Sequence, residues 1–291
     1  MQPIGRFSSD SDHAVGTLDD SSQRTGAWIL DSFIDATSWE KAINTLLQWA
    51  KDRRSRYVCI CNVHVVVIAK QQPEFRRIAN EADMATPDGM PIAWVLRRSG
   101  FEQQERINGP DLMWSLCRHA AEKGLSIFLY GSTPDTLEKL LDRLNTSFPQ
   151  LVIAGVFSPP FRLLSAEEDR EMTDLINGSG AHIVFVGLGC PKQEFWMAAQ
   201  RGKLKAVMIG VGAAFDYHAG TVRRAPVWMR QAGLEWLCRL MSEPKRLWKR
   251  YLITNLLFLF YLGVGLLRAK QPSRLMSSAF HNYKESTPDD P

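Results

Sequence analysis

Several kinds of signal are scarce in this chain. Its 291 residues include only five cysteines, Cys59, Cys61, Cys117, Cys190 and Cys238. They are scattered and odd in number, which excludes a disulfide framework and fits a reducing compartment. Cys59-Ile60-Cys61 has the wrong spacing for a redox or zinc pair, and strand alternation places both thiols on one face as core packing. The net charge of +4 is small, and no basic run is interleaved with stacking aromatics, so nucleic acid is not an expected partner. The N-terminus lacks the apolar region of an export signal. No G-x-G-x-x-G opens a helix with an acidic residue about twenty positions later, which argues against an NAD-dependent oxidoreductase. No internal repeat and no long linker interrupts the chain before residue 225.

What is present reads as a globular protein, with 45% hydrophobic and 23% charged residues and enough length for one large domain or two modest ones. Residues 1–25 are polar and aperiodic, and are expected to be disordered. Asp10-Ser11-Asp12 matches the Asp-x-Asp metal motif of sugar-nucleotide enzymes, but it lies in that tail and has no convincing counterpart later.

The organising stretch is residues 182–226. Two short β-branched runs, His182–Val186 and Ala206–Ile209, read as buried strands. Gly187 and Gly189 follow the first, and Gly210 and Gly212 the second. Pro191–Gln200 between them reads as a helix, with Pro191 suited to its first position. Further strands are expected at Ala27–Leu30, Tyr57–Cys61, Asp83–Ala85, Ser126–Tyr130 and Val152–Phe157, with helices between most of them. Gly131-Ser132-Thr133-Pro134 makes a second strand–glycine–helix unit. This alternation predicts an α/β fold, Rossmann-like, with a mostly parallel sheet and helices on both faces. The expected layout is an α/β catalytic core over 26–225, a C-terminal helical appendage over 226–270 and a disordered tail over 271–291.

In such sheets ligands bind at the carboxyl ends of the strands. Glycine there lets a ligand approach the backbone, and a helix N-terminus favours an anion, so a nucleotide diphosphate suits Gly131, Gly187 and Gly189. Asp88 sits in a Pro-Asp-Gly turn with Gly89, where it is either turn chemistry or a general base at a strand end. Asn62 and His64 follow a strand and belong to the same rim. Arg106, before Gly109 and a helix start, is either a solvated surface residue or a phosphate ligand. Gln193 and Glu194 either cap a helix or bond to a sugar or base. Asp216 either caps Ala219-Gly220 or accepts from ribose or uracil. Arg239, Arg246, Lys249 and Arg250 form either a solvated or headgroup-facing surface or a cluster that neutralises a diphosphate.

The C-terminal part changes character. Val227–Met241 reads as one helix rich in Trp and Leu, broken by Ser242-Glu243-Pro244. Residues 251–267 carry no charge. At about 1.5 Å per residue they give about 25 Å, against about 30 Å of hydrocarbon. They read as a membrane-associating segment on the inner leaflet, anchored by flanking cations and Trp, or as a buried helix at an oligomer interface.

Taken together, Asn62, Pro87-Asp88-Gly89, Arg106-x-x-Gly109, Gly187-x-Gly189-x-Pro191-Lys192-Gln193-Glu194, Gly212-Ala213-Ala214-Phe215-Asp216 and Leu234-Glu235-Trp236 through Glu243-Pro244-x-Arg246 resemble the WecG/TagA/CpsF glycosyltransferases. The resemblance covers about residues 27–265. It implies an inverting transfer from a UDP-sugar to a polyprenyl-diphosphate-linked saccharide, in bacterial exopolysaccharide or other cell-surface polysaccharide synthesis. It places the enzyme at the cytoplasmic face of the inner membrane as a homo-oligomer without a bound metal. Asp88 matches the family's proposed base. Arg239, Arg246 and, by position, Lys249 match C-terminal cations that close over the site and meet the diphosphate, with Arg250 the neighbouring candidate. Ile60 stands where teichoic-acid members carry threonine, which leaves N-acetylmannosamine, glucose and a uronic acid open as donor sugars. The rival class is a membrane-associated nucleotide-binding assembly or regulatory protein without turnover.

Overall fold

The computed structural model describes residues 24–162 and 164–269. Most of the tail over 1–25, the Asp10–Asp12 motif and the tail over 271–291 lie outside the described residues.

The chain begins with an antiparallel hairpin, β1 (Gly26–Ile29) and β2 (Ser32–Asp35). Only its first strand is expected from sequence. The turn uses Leu30 and Asp31, both with positive φ (49° and 67°), so no Asn-Gly or Asp-Gly signal marks it. Arg24 Nη2 pairs with Asp35 Oδ2 at 2.7 Å, and Asp35 accepts from Ala85 N, which pins the hairpin to the sheet.

Six strands follow: β3 (Arg56–Cys61), β4 (Met84–Pro87), β5 (Ser126–Gly131), β6 (Val152–Phe157), β7 (Ile183–Gly187) and β8 (Val207–Gly210). They form one parallel sheet in the order β4-β3-β8-β7-β5-β6. Strand alternation splits the core in two. Tyr57, Cys59, Cys61, Val184 and Val186 face α2 (Val63–Gln71), α3 (Pro73–Glu81), α7 (Ala166–Gly178) and α8 (Lys192–Gln200). Val58, Ile60, Ile183 and Phe185 face α1 (Trp39–Lys51), α5 (Gly109–Lys123) and α6 (Pro134–Ser147). Both faces are therefore covered, which explains the near-continuous apolar strands. Cys59 and Cys61 share one face and are fully buried, and burial pushes both thiols up.

After β4 the chain runs through α4 (Met90–Arg98) and α5 and crosses to β5 on the far side of β3, whereas from β3 it passes through α2 and α3 to the adjacent strand β4. This change of direction opens a crevice at the carboxyl ends of the strands. A short helix, α9 (Ala214–Ala219), follows β8. The single helix expected over Val227–Met241 is two, α10 (Val227–Gln231) and α11 (Glu235–Ser242). Gly233 breaks it with φ 75°, and a Cβ there would lie 2.5 Å from Met90 Cγ, so the break lets this segment pack on α4. The chain then runs as one helix, α12 (Pro244–Ala269), which crosses α2.

Candidate active site

β3 and β4 pair in the register Cys61↔Pro87, so Asn62 and Asp88 leave the sheet side by side. Asp88 N donates to Cys61 O at 2.9 Å, which fixes that step. Gly189 after β7 and Gly210 and Gly212 at the end of β8 continue the rim. Above it lies a cleft of about 590 Å³, walled by residues of α4, α11 and α12.

Asn62, His64, Asp88, Gly89, Arg106, Gly109, Gly189, Gln193, Glu194, Arg239 and Arg250 all line this cleft. Protein packs tightly round the Asp88 carboxyl, although the residue keeps a narrow opening to the cleft. Burial raises its pKa from 3.8 to about 6, against the lowering field of Arg106. Glu235 pushes in the same direction as burial. Arg106 is itself held, because its Nη2 donates to Glu235 Oε2 at 3.0 Å. Arg224 donates to Glu235 Oε1 at 3.2 Å and to both oxygens of Asp111, at 2.6 and 2.9 Å. This chain of charges ties the loop before α5 to α11.

The Asn62 side-chain oxygen accepts from His64 N at 3.0 Å and Val65 N at 3.2 Å, so it caps α2 while lining the cleft. Burial, aided by Arg250, lowers the pKa of His64 to about 3, so its ring is neutral at working pH. Gln193 Nε2 donates to Glu194 Oε1 at 2.9 Å and to Gly210 O at 3.2 Å. A Cβ on Gly210 would sit 2.9 Å from that nitrogen, so glycine makes room for the amide. Gln193 Oε1, Glu194 Oε2 and His64 Nδ1 are buried and have no hydrogen-bond partner among the described residues. Burial also raises the Glu194 pKa.

Gly131 and Gly187 do not line the cleft. A Cβ on Gly131 would lie 2.8 Å from the Gly187 backbone, and one on Gly187 would lie 2.7 Å from the Phe215 ring. These glycines serve strand and helix packing. Asp216, Arg246 and Lys249 also lie off the lining. Arg246 Nη2 pairs with Glu243 Oε2 at 2.7 Å, and Lys249 Nζ lies 5.6 Å from the Trp248 ring centroid. Asp216 is raised by burial and feels Arg239 and Arg246. Of the two neighbouring cations at 249 and 250, Arg250 lines the cleft, and no carboxylate among the described residues lies in ion-pair range of it.

Sequence reasoning did not single out Asn108, Asp111, Arg224 or Tyr251. Asn108 and Asp111 flank Gly109, and Tyr251 adjoins Arg250, so proximity to chosen residues was the available signal. Arg224 offered none. Among the described residues no group of three or more His, Cys, Asp or Glu is placed to hold a metal ion.

Residues 27–272 match the Glycosyl transferase WecG/TagA/CpsF family. The chain is also 32% identical, over 223 residues, to the N-acetylglucosaminyldiphosphoundecaprenol N-acetyl-beta-D-mannosaminyltransferase of Bacillus spizizenii. That match covers 76% of this chain and 84% of the relative. A rim of glycines and polar groups at the switch point of a parallel sheet, matched by the family over nearly the whole described chain, leads to one assignment: the chain belongs to the WecG/TagA/CpsF family and is a glycosyltransferase.

Proposed function

We propose that the enzyme moves a sugar from a UDP-sugar to a polyprenyl-diphosphate-linked saccharide, with inversion and with Asp88 as the general base. The carrying observation is the Asp88 carboxyl, which titrates at about 6 in a cleft shared with Arg106, Arg239 and Arg250. A base with that pKa is ionised at neutral pH yet accepts a proton readily.

In the step, an acceptor hydroxyl gives its proton to Asp88. Its oxygen forms a bond to the anomeric carbon as the bond from that carbon to the diphosphate oxygen breaks. Attack from the face opposite UDP turns an α-linked donor into a β-linked product. UDP departs with the bonding electron pair, and the arginines neutralise its charge in place of a metal. The Bacillus relative's name supports N-acetylmannosamine as the donor sugar. Ile60, which lines the cleft without a hydroxyl, keeps glucose and a uronic acid in the panel.

The site works at the cytoplasmic membrane face. Among the described residues no helix is long and apolar enough to cross a membrane. α12 exposes Leu252, Ile253, Leu256 and Phe260 on its outward side, after Lys245, Arg246 and Lys249, which suits lying on a bilayer.

The test gives purified protein in detergent a panel of UDP-sugars and a short-chain polyprenyl-diphosphate sugar, and follows UDP release with and without EDTA. Release with one donor, undiminished by EDTA, is expected. Loss of release on adding EDTA refutes stabilisation of the leaving group by arginines alone. No release with any donor refutes the proposed reaction.

A further inference from the structure

The cleft changes chemistry along its length. On α4, Pro91, Trp94, Val95 and Arg98 line it at spacings of three and four, one side of a helix. On α12, after the buried Leu247, the inner lining is polar: Arg250, Tyr251, Thr254 and Asn255. One turn further on it becomes wholly apolar: Phe258, Leu259 and Leu262. From Arg250 to Leu262 the helix advances about 18 Å at about 1.5 Å per residue. Trp94 and Leu259 are 52% and 65% exposed although they line the cleft, so this end carries apolar surface that the fold does not cover.

A ligand that satisfies this gradient has a charged head and a hydrocarbon tail. We infer that the gap between α4 and the outer half of α12 holds the first isoprenoid units of the acceptor's lipid chain. This subsite rests on the reading that the acceptor is a lipid diphosphate. Continuity selects the occupant. A diphosphate near Arg250 has its chain leaving along Phe258, Leu259 and Leu262, with Trp94 and Val95 opposite. The head is anchored by charge, and the tail leads outward to the face of α12 that suits a bilayer. The enzyme thereby reads the chain of its acceptor as well as the sugar.

Two acceptors with the same saccharide diphosphate test this, one on a short water-soluble alkyl chain and one on a longer isoprenoid. Trp94→Ser and Leu259→Ser change exposed side chains, so folding is retained. The expected result is a fall of about tenfold in the ratio of kcat/KM for the long-chain over the short-chain acceptor in each variant. A ratio equal to wild type in both overturns the subsite, while wild-type turnover of the short acceptor still upholds the transferase reading. A second measurement needs no turnover. A sugar-free farnesyl diphosphate bearing a diazirine is expected to label peptides 90–98 and 255–262. Labelling confined to other peptides overturns the subsite. Concentration-dependent self-association that Trp94→Ser abolishes, with no chain-length effect, overturns it in favour of a second copy.

Discussion

Asp88→Asn separates the chemistry of the site from its stability. The side chain keeps its shape and loses its charge. In the folded protein the carboxyl has a pKa of about 6, against 3.8 for the free group. Each unit is worth about 1.36 kcal/mol, so holding the ionised form in the fold costs about 3 kcal/mol, reduced to about 1–3 kcal/mol by the opening onto the cleft. The folded pKa is raised, so the unfolded chain ionises more readily. Wild type therefore loses this amount as pH rises from about 4 to about 6, and the loss stays complete above that. Urea unfolding of both proteins at pH 7.5 should show the variant more stable by about 1–3 kcal/mol, and at pH 3.5 the difference should vanish. Turnover should fall by orders of magnitude while donor binding survives. A variant less stable than wild type at pH 7.5, or a gap independent of pH, refutes the burial argument. Near-normal turnover refutes the base.

Other expectations follow from the same geometry. The kcat/KM profile should rise with pH through about 6, about tenfold per unit on the acid side, and a profile flat between pH 5 and 8 removes Asp88 from the proton transfer. Gly131→Ala puts a Cβ 2.8 Å from the Gly187 backbone at a φ of 118°, and should cost at least about 2 kcal/mol in urea unfolding. Its donor KM, measured where the fold holds, should stay near wild type, and a selective rise there would return Gly131 to the binding site. Arg224→Ala leaves Glu235 with Arg106 alone and Asp111 with Asn108 and the longer Arg230 contact, and should lower stability by about 1–2 kcal/mol. Unfolding midpoints within error of wild type would mean that the network contributes little.

The sheet was legible because its strands are short, apolar and β-branched, and because glycine or a polar turn ends nearly every one. That pattern also located the rim, so Asp88, Asn62, Gln193 and Glu194 could be named before their geometry was known. The same signal also picked Gly131 and Gly187, which lie off the cleft lining, since a glycine that admits a ligand and one that admits a neighbouring strand or ring read alike. The hairpin was half missed because Leu30 and Asp31 adopt positive φ without glycine. α9 is too short to show periodicity. The break at Gly233 was hidden in a Trp- and Leu-rich run, and its reason, the Met90 side chain, lies far away in sequence. The Arg106–Glu235 pair spans 129 positions, so only the fold reveals that the phosphate-ligand candidate already holds a carboxylate.

The pairing of Cys61 with Pro87 carries a consequence for how this enzyme tolerates change. Asn62 and Asp88 each follow one member of that pair, in strands that a parallel sheet holds about 4.8 Å apart, so backbone hydrogen bonding sets where both begin. Substitutions among the apolar residues beneath can loosen the fold without altering that separation. A single residue inserted between Thr86 and Asp88 has the opposite effect. It shifts the end of β4 by one step and turns the aspartate toward the other face of the sheet, leaving nearly all core contacts in place. Length at this point of the chain is therefore more tightly constrained than composition, and a one-residue insertion there is expected to leave the urea unfolding midpoint near wild type while UDP release is lost.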